Sequence, residues 1–313
     1  MHWVFKALIF IALVFLFFYI LVFFQPTPKG ISSNIRWGVA FSKPYAISLG
    51  LNWQETYLAI LDDLKVKYLR LPVYWEDVEP QKNNYFFDDY DWMIKKAEKR
   101  DVKLILVVGW KLPRWPECHK PAWAKSEDVL NYVQTAINRY KESPALYEWQ
   151  IENEPFLNFG ECPDYDSRVL EKEIELVHSL DGKHQILTTD SGELGFWLKV
   201  AGKGDIFGTT IYRVVWNKYL GYISYNFIIP HQFFWLKANL VRLFFPDKPI
   251  IVSELQAEPW KDKGMDLKQF SKNIEFAEKV GFPEVYFWGA EWWYWLKQKH
   301  QDSRFWDYAK TIF

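Results

Sequence analysis

Along most of the chain, short runs of consecutive apolar residues alternate with longer stretches in which apolar positions return every three or four residues. The first pattern predicts buried strands and the second amphipathic helices, and their alternation is the mark of βαβ units around a parallel sheet. Eight strands are predicted: Trp37 to Phe41, Tyr68 to Val73, Val102 to Val108, Ala145 to Ile151, Gln185 to Thr189, Ile206 to Ile211, Pro249 to Ser253 and Glu284 to Trp288. Between them fall helices at Asn52 to Leu64, Asp89 to Lys99, Glu127 to Tyr140, Ser167 to Ser179, Gly195 to Val200 and Leu267 to Val280. Eight such units predict a closed (β/α)8 TIM barrel, with functional residues at the carboxyl ends of the strands. No strand runs into G-x-G-x-x-G or G-x-x-x-x-G-K, which removes the nucleotide-binding forms of the rival open sheet.

Two stretches break the alternation. From Ala7 to Phe24 every residue is apolar or Tyr, and the run ends without the small residues of a cleavage site, so it predicts an uncleaved transmembrane helix. The expected layout is an anchor over 1–24, a linker over 25–35 and a barrel domain over 36–313. An amino terminus inside would make the barrel membrane-anchored and extracytoplasmic, periplasmic or extracellular. The second stretch, Tyr212 to Pro230, reads as a long irregular segment followed by an aromatic helix near His231 to Phe245. Its apolar side chains suit a lid, a membrane-facing patch or a cover for the barrel side.

Composition adds three points. Half of the 313 residues are hydrophobic and 25% are charged, which is enough for a large core and excludes disorder. The net charge of −1, without a basic block, points away from nucleic acid. The 18 Trp, 18 Tyr and 25 Phe provide flat faces that suit sugar rings, although most such residues fill cores.

The chemistry centres on Trp149-Gln150-Ile151-Glu152-Asn153-Glu154-Pro155. Here a buried strand delivers Asn153 and Glu154 to its carboxyl end, and Pro155 forbids further pairing. One hundred residues on, Ile250-Ile251-Val252-Ser253-Glu254 places a second carboxylate at the end of the seventh strand, on the same rim. Arg70, in the second strand, is placed to face the barrel axis, where a buried guanidinium favours the charged form of a neighbouring carboxylate. Glu152 and Glu258 lie close in sequence to the two candidate acids and compete with them for the roles. Arg70 alone also fits a structural ion pair with Glu152 or Glu76.

Asn-Glu-Pro after strand four, with a glutamate ending strand seven, resembles the clan A retaining glycoside hydrolases, in particular the β-galactosidase-, xylosidase- and cellulase-like branches. Tyr74-Trp75-Glu76-Asp77-Val78-Glu79-Pro80 is similar to that clan's W-x-x-x-E-P loop. The resemblance covers nearly all of residues 36–290 and departs at Gly109-Trp110, where some branches carry a histidine. It implies hydrolysis of a β-linked oligo- or polysaccharide by double displacement, with Glu154 as acid/base and Glu254 as nucleophile, their carboxyl groups about 5 to 5.5 Å apart. It also implies that Asn153 meets the sugar 2-hydroxyl, that Tyr212 donates its hydroxyl to Glu254 and that Trp288 lies under the central sugar. Trp110 and Trp75 follow strand ends and are further stacking candidates, as are Trp115, Trp216, Trp260 and Trp292.

Cys118 and Cys162 fall in the loops after strands three and four, neighbours in a barrel, and are expected to form a disulfide, with two free thiols as the alternative. The six histidines have no metal-ligand spacing, so no metal or cofactor is expected. Three other readings remain open at this point: a transglycosylase using the same residues, a carbohydrate-binding protein of a polysaccharide assembly or export system on a hydrolase scaffold, and a membrane-bound interaction protein.

Overall fold

The computed structural model describes residues 2–162 and 165–313, with the side chains at positions 2, 4, 7, 8, 11, 12, 14, 15 and 18 outside the description. Ten strands are present among the described residues: β1 Arg36–Ala40, β2 Tyr68–Pro72, β3 Lys103–Val108, β4 Leu146–Ile151, β5 Gln185–Asp190, β6 Ile206–Ile211, β7 Val214–Asn217, β8 Gly221–Ser224, β9 Ile250–Gln256 and β10 Glu284–Trp288. All but β7 and β8 pair in parallel and close a barrel in the order β1-β10-β9-β6-β5-β4-β3-β2. The eight barrel strands are the predicted eight, with ends displaced by no more than a residue or so except in β9.

Local chemistry sets the helix ends. Asn52 accepts from the backbone N–H groups of Gln54 and Glu55 at the start of helix Trp53–Asp62, and Asp266 accepts from Gln269 at the start of Leu267–Val280. Gly281, at φ +73°, closes the latter helix in the left-handed conformation that glycine adopts without strain. Alternating strand residues then divide the interior in two. Outward-facing residues such as Leu69, Leu71, Leu104, Leu106, Trp149 and Ile151 pack against the helices in one large cluster. Ile105, Leu187, Ile206, Ile251 and Tyr286 form a small separate cluster on the barrel axis.

β9 breaks that alternation. Its outward residues in the large cluster are Ile250 and Val252, then Leu255 and Ala257, one step out of phase. Thr209 pairs with Val252 but Thr210 with Glu254, so β9 carries one extra residue at Ser253–Glu254. The same slip appears against β10, where Val285 pairs with Val252 and Phe287 with Leu255. A bulge of this kind bends the strand and re-aims a side chain. The strand also continues beyond the predicted end at Ser253, because the bulge restores useful pairing for Leu255 and Gln256.

Two expectations are corrected. Among the described residues no helix is long and apolar enough to cross a membrane. The expected transmembrane anchor is therefore not supported, and neither is the membrane-anchored localisation drawn from it. The apolar run instead belongs to helix His2–Phe23, part of whose sequence lies outside the described side chains. Leu16, Tyr19, Val22 and Phe23 of this helix line a groove with Ile228, Ile229, Pro230 and Phe233 of the same chain. The segment after β6 is not wholly irregular either, since β7 and β8 form an antiparallel hairpin within it.

Candidate active site

The carboxyl end of the barrel gathers the predicted polar residues around Arg70. This side chain is fully buried, and β2 directs it to the axis. Its Nε donates to Gln150 Oε1 at 2.7 Å, its Nη1 to Glu254 Oε1 at 2.7 Å and its Nη2 to Asn153 Oδ1 at 2.8 Å. One guanidinium thereby fixes residues from β4, its loop and β9. Its ion-pair partner is Glu254, and neither Glu152 nor Glu76.

Glu254 is held at both oxygens, because Tyr212 donates its hydroxyl to Oε2 at 2.8 Å. The bulge in β9 is what turns this carboxylate toward the axis, and Tyr212 follows the end of β6, so two adjacent strands meet at the pair.

Glu154 has a different environment. It lies in the loop after β4 at φ +44°, and Glu152 sits at +60°, two non-glycine residues in the sparsely populated left-handed region. The loop keeps this shape through buried contacts. The Lys111 ammonium donates to the carbonyls of Glu154 and Leu157, both at 2.8 Å, and the Glu154 N–H donates to Thr189 Oγ1 at 3.1 Å. Its carboxyl group receives one protein hydrogen bond, from Thr210 Oγ1 at 3.3 Å. Thr210 is the residue opposite Glu254 in the β6–β9 register, which brings the two acids to the same place. Burial above all, then the negative charges of Glu254 and Glu117, push the Glu154 pKa well above the ordinary carboxylate range, while Lys111 opposes them.

The sequence competitors are otherwise engaged. Glu152 accepts from the N–H groups of Trp110 and Lys111 at 2.8 and 2.5 Å, beneath Gly109, where any Cβ would come within 2.6 Å of the carboxyl carbon. Glu258 is ion-paired with Arg114.

Of the aromatic candidates, Trp75 lies in the core, stacked on Tyr132 with its Nε1–H on Glu79, away from the cleft. Trp110 is buried with its indole N–H on Cys118 Sγ. Trp288 is at the rim, but one of its faces is covered by Arg114, whose guanidinium lies 3.9 Å from the ring centroid and 3.7 Å from that of Tyr45 on its other side. The open aromatic surface lies elsewhere: Trp115, Phe159, Trp260 and Tyr212 form a continuous series of edge and tilted contacts across four loops. Cys118 and Cys162 form the expected disulfide, joining the loops after β3 and β4. Three further polar residues at the site were not anticipated: Lys111, Thr210 and Glu117, the last adjacent to Cys118. Among the described residues no group of His, Cys, Asp and Glu is arranged to hold a metal.

Sequence comparison finds relatives over part of the chain. The chain is 31% identical over 132 residues to the probable mannan endo-1,4-beta-mannosidase A-2 of Aspergillus terreus, covering 36% of this chain and 31% of the relative. It is 27% identical over 161 residues to mannan endo-1,4-beta-mannosidase A of Aspergillus aculeatus, covering 46% and 41%. Over part of its length the chain is similar to O-glycosyl hydrolases of clan A. Residues 53–189 also match the Apiosidase-like catalytic domain family, over less than half of the chain. Its aligned stretch spans about a third of the first curated relatives. Among solved structures, the endo-beta-1,4-mannanase of Thermotoga petrophila superposes with a TM-score of 0.57 at 17% identity, covering 82% of this chain and 68% of that one. A beta-galactosidase from Bacillus circulans sp. alkalophilus gives 0.59 at 13% identity, covering 84% and 51%. These two share the barrel fold with this chain.

Proposed function

We propose that the chain cleaves a β-linked oligo- or polysaccharide with net retention, through a glycosyl-enzyme intermediate on Glu254. The observation that carries this reading is the contrast between the two carboxyl groups. Glu254 has both oxygens fixed by charged or hydroxyl donors, which orients it for attack on an anomeric carbon. Glu154 is buried among like charges, which raise its pKa and favour the protonated form that the departing oxygen requires.

In the first step Glu254 forms a bond to the anomeric carbon as Glu154 gives its proton to the leaving oxygen. In the second step Glu154 takes a proton from water as the water oxygen bonds to the anomeric carbon, and the bond from that carbon to Glu254 breaks, returning Glu254 as a carboxylate. The relatives' mannan specificity makes a β-1,4-linked mannan the first substrate to try. Asn153, held by Arg70, and Tyr212 complete the sugar-facing wall in this reading.

The test is incubation with a 2-deoxy-2-fluoro-β-mannosyl fluoride, followed by peptide mass spectrometry, alongside proton NMR of the first-formed anomer from mannotetraose. A fluoromannosyl adduct on Glu254 and a β-anomer product are expected. An α-anomer, or an adduct on another residue, would overturn the assignment.

A further inference from the structure

The loop after β3 puts a third carboxylate into the site. Between Trp110 and His119 the chain folds back on itself: Leu112 N–H donates to Glu117 O, Glu117 N–H to Arg114 O and His119 N–H to Trp110 O, with Lys111 and Cys118 paired across the turn. Arg114 and Glu117 sit at φ +88° and +70°, conformations unfavourable for side chains with a Cβ. The next loop holds this turn in place. Cys118 is bonded to Cys162, Glu161 N–H donates to Pro116 O at 2.9 Å, and Gly160 packs so closely that an added Cβ would lie 2.6 Å from Glu117 Cβ.

The outcome is a carboxylate that is 7% exposed. Its Oε2 accepts from Asn153 Nδ2 at 3.1 Å, and among the described residues nothing donates to Oε1 and no cation forms an ion pair with it. Glu254, Arg70, Asn153 and Glu117 thus form one chain of hydrogen bonds around the axis, and only the last member has acceptor capacity to spare. A carboxylate offers about four acceptor positions, and leaving buried ones empty is unfavourable. Glu254 and Glu152 have both oxygens engaged, by Arg70 and Tyr212 and by two backbone N–H groups, and Glu258, whose Oε2 is unpartnered among the described residues, is tied to Arg114 through Oε1.

On the reading of this chain as a glycoside hydrolase, we propose that Glu117 is a specificity-determining residue that accepts a hydrogen bond from a ring hydroxyl of the sugar seated between Glu154 and Glu254. Burial, then the charge of Glu254, raise its pKa to about 7, so both of its forms are present near neutrality and each retains an accepting oxygen.

The experiment is a cycle between protein and substrate. Wild type, E117Q, E117A and N153A are assayed for kcat/KM on p-nitrophenyl β-mannoside and its 2-, 3-, 4- and 6-deoxy derivatives, with thermal melts to establish folding. In wild type one deoxy position is expected to lose roughly 10- to 100-fold. E117A should lose a similar factor on the parent glycoside and show no further penalty at that position, with E117Q between them and N153A keeping the penalty. Equal deoxy penalties in wild type and E117A would mean that Glu117 only steadies Asn153 and its loop, and would overturn the proposal. If wild type hydrolyses none of the glycosides, the hydrolase reading fails, and the cycle is repeated as Kd by calorimetry on the same compounds. A Glu117-dependent penalty in binding then upholds the role, whereas absence of binding or additive penalties overturns it.

Discussion

The barrel holds carboxylates at both ends, and they are built to different rules. At the amino-terminal end Glu284 accepts from the Tyr147 and Tyr286 hydroxyls, both at 3.0 Å, and pairs with half-exposed Arg36, while neighbouring Glu148 has one buried oxygen without a partner. At the carboxyl end Glu254 is paired with a guanidinium that no solvent reaches. Glu148 is the counterpart of Glu154: burial, then the charge of Glu284, raise its pKa to about 8. A buried acid kept neutral by a like charge is therefore not by itself a sign of catalysis. The upper pair differs because a strand bulge, two left-handed residues and a fully satisfied arginine converge on it.

The largest test of that distinction is E254Q, which should reduce kcat on the order of 10⁴-fold on any substrate, while E284Q leaves kcat within a few-fold. Next, E154Q should cost 10²- to 10⁴-fold on an alkyl or sugar leaving group but little in the glycosylation of a dinitrophenyl glycoside, whose leaving group needs no proton. A steady-state comparison of the two substrate classes, with the burst phase resolved, measures this. Third, R70M leaves Glu254 buried and unpaired and should destabilise by about 3–5 kcal/mol in urea denaturation, against roughly 1 kcal/mol or less for R36M at the other end. A small effect of R70M would erase the contrast between the two ends.

The smallest effect concerns pH. The folded-state pKa of Glu148 is raised to about 8 from an ordinary 4.5, so between those values the native state binds the extra proton. Stability from this residue is fully present below about 4.5 and declines as pH rises toward 8. Urea midpoints measured between pH 5 and 8 should fall less steeply in E148Q than in wild type.

Most of the barrel was legible because strand and helix periods differ and are long enough to read. Ile206–Ile211 and Glu284–Trp288 appear where the pattern put them. Arg70 and Glu254 were legible from their strand positions, the contacts of Asn153 and Tyr212 came only through motif resemblance, and parity alone placed Glu152 on the same face as Glu154. What sequence could not supply was loop geometry. Nothing in Trp115-Pro116-Glu117 announces that the turn enters the site; only the adjacent Cys118 hints that this loop is pinned. Likewise Trp75 and Trp110 follow strand ends as Trp288 does, but the packing of Tyr132 and Cys118 draws the first two into the core. The apolar run near the amino terminus misled because hydropathy does not reveal that part of it faces Ile229 and Phe233 of the same chain.

The extra residue in β9 makes chain length a functional quantity. Upstream of it the strand keeps one inside-outside phase and downstream the other, and removing Ser253 would merge the two into one regular alternation with Glu254 still facing the axis. With Ser253 in place and no bulge, regular pairing would turn Glu254 toward the helices and Leu255 and Ala257 toward the polar axis. Segments such as the β7–β8 hairpin can change length without such a conflict. Elsewhere in this strand a one-residue insertion or deletion is equivalent to exchanging the Glu254 carboxylate for a hydrophobe at the axis, which sets a limit on how descendants of this sequence can vary.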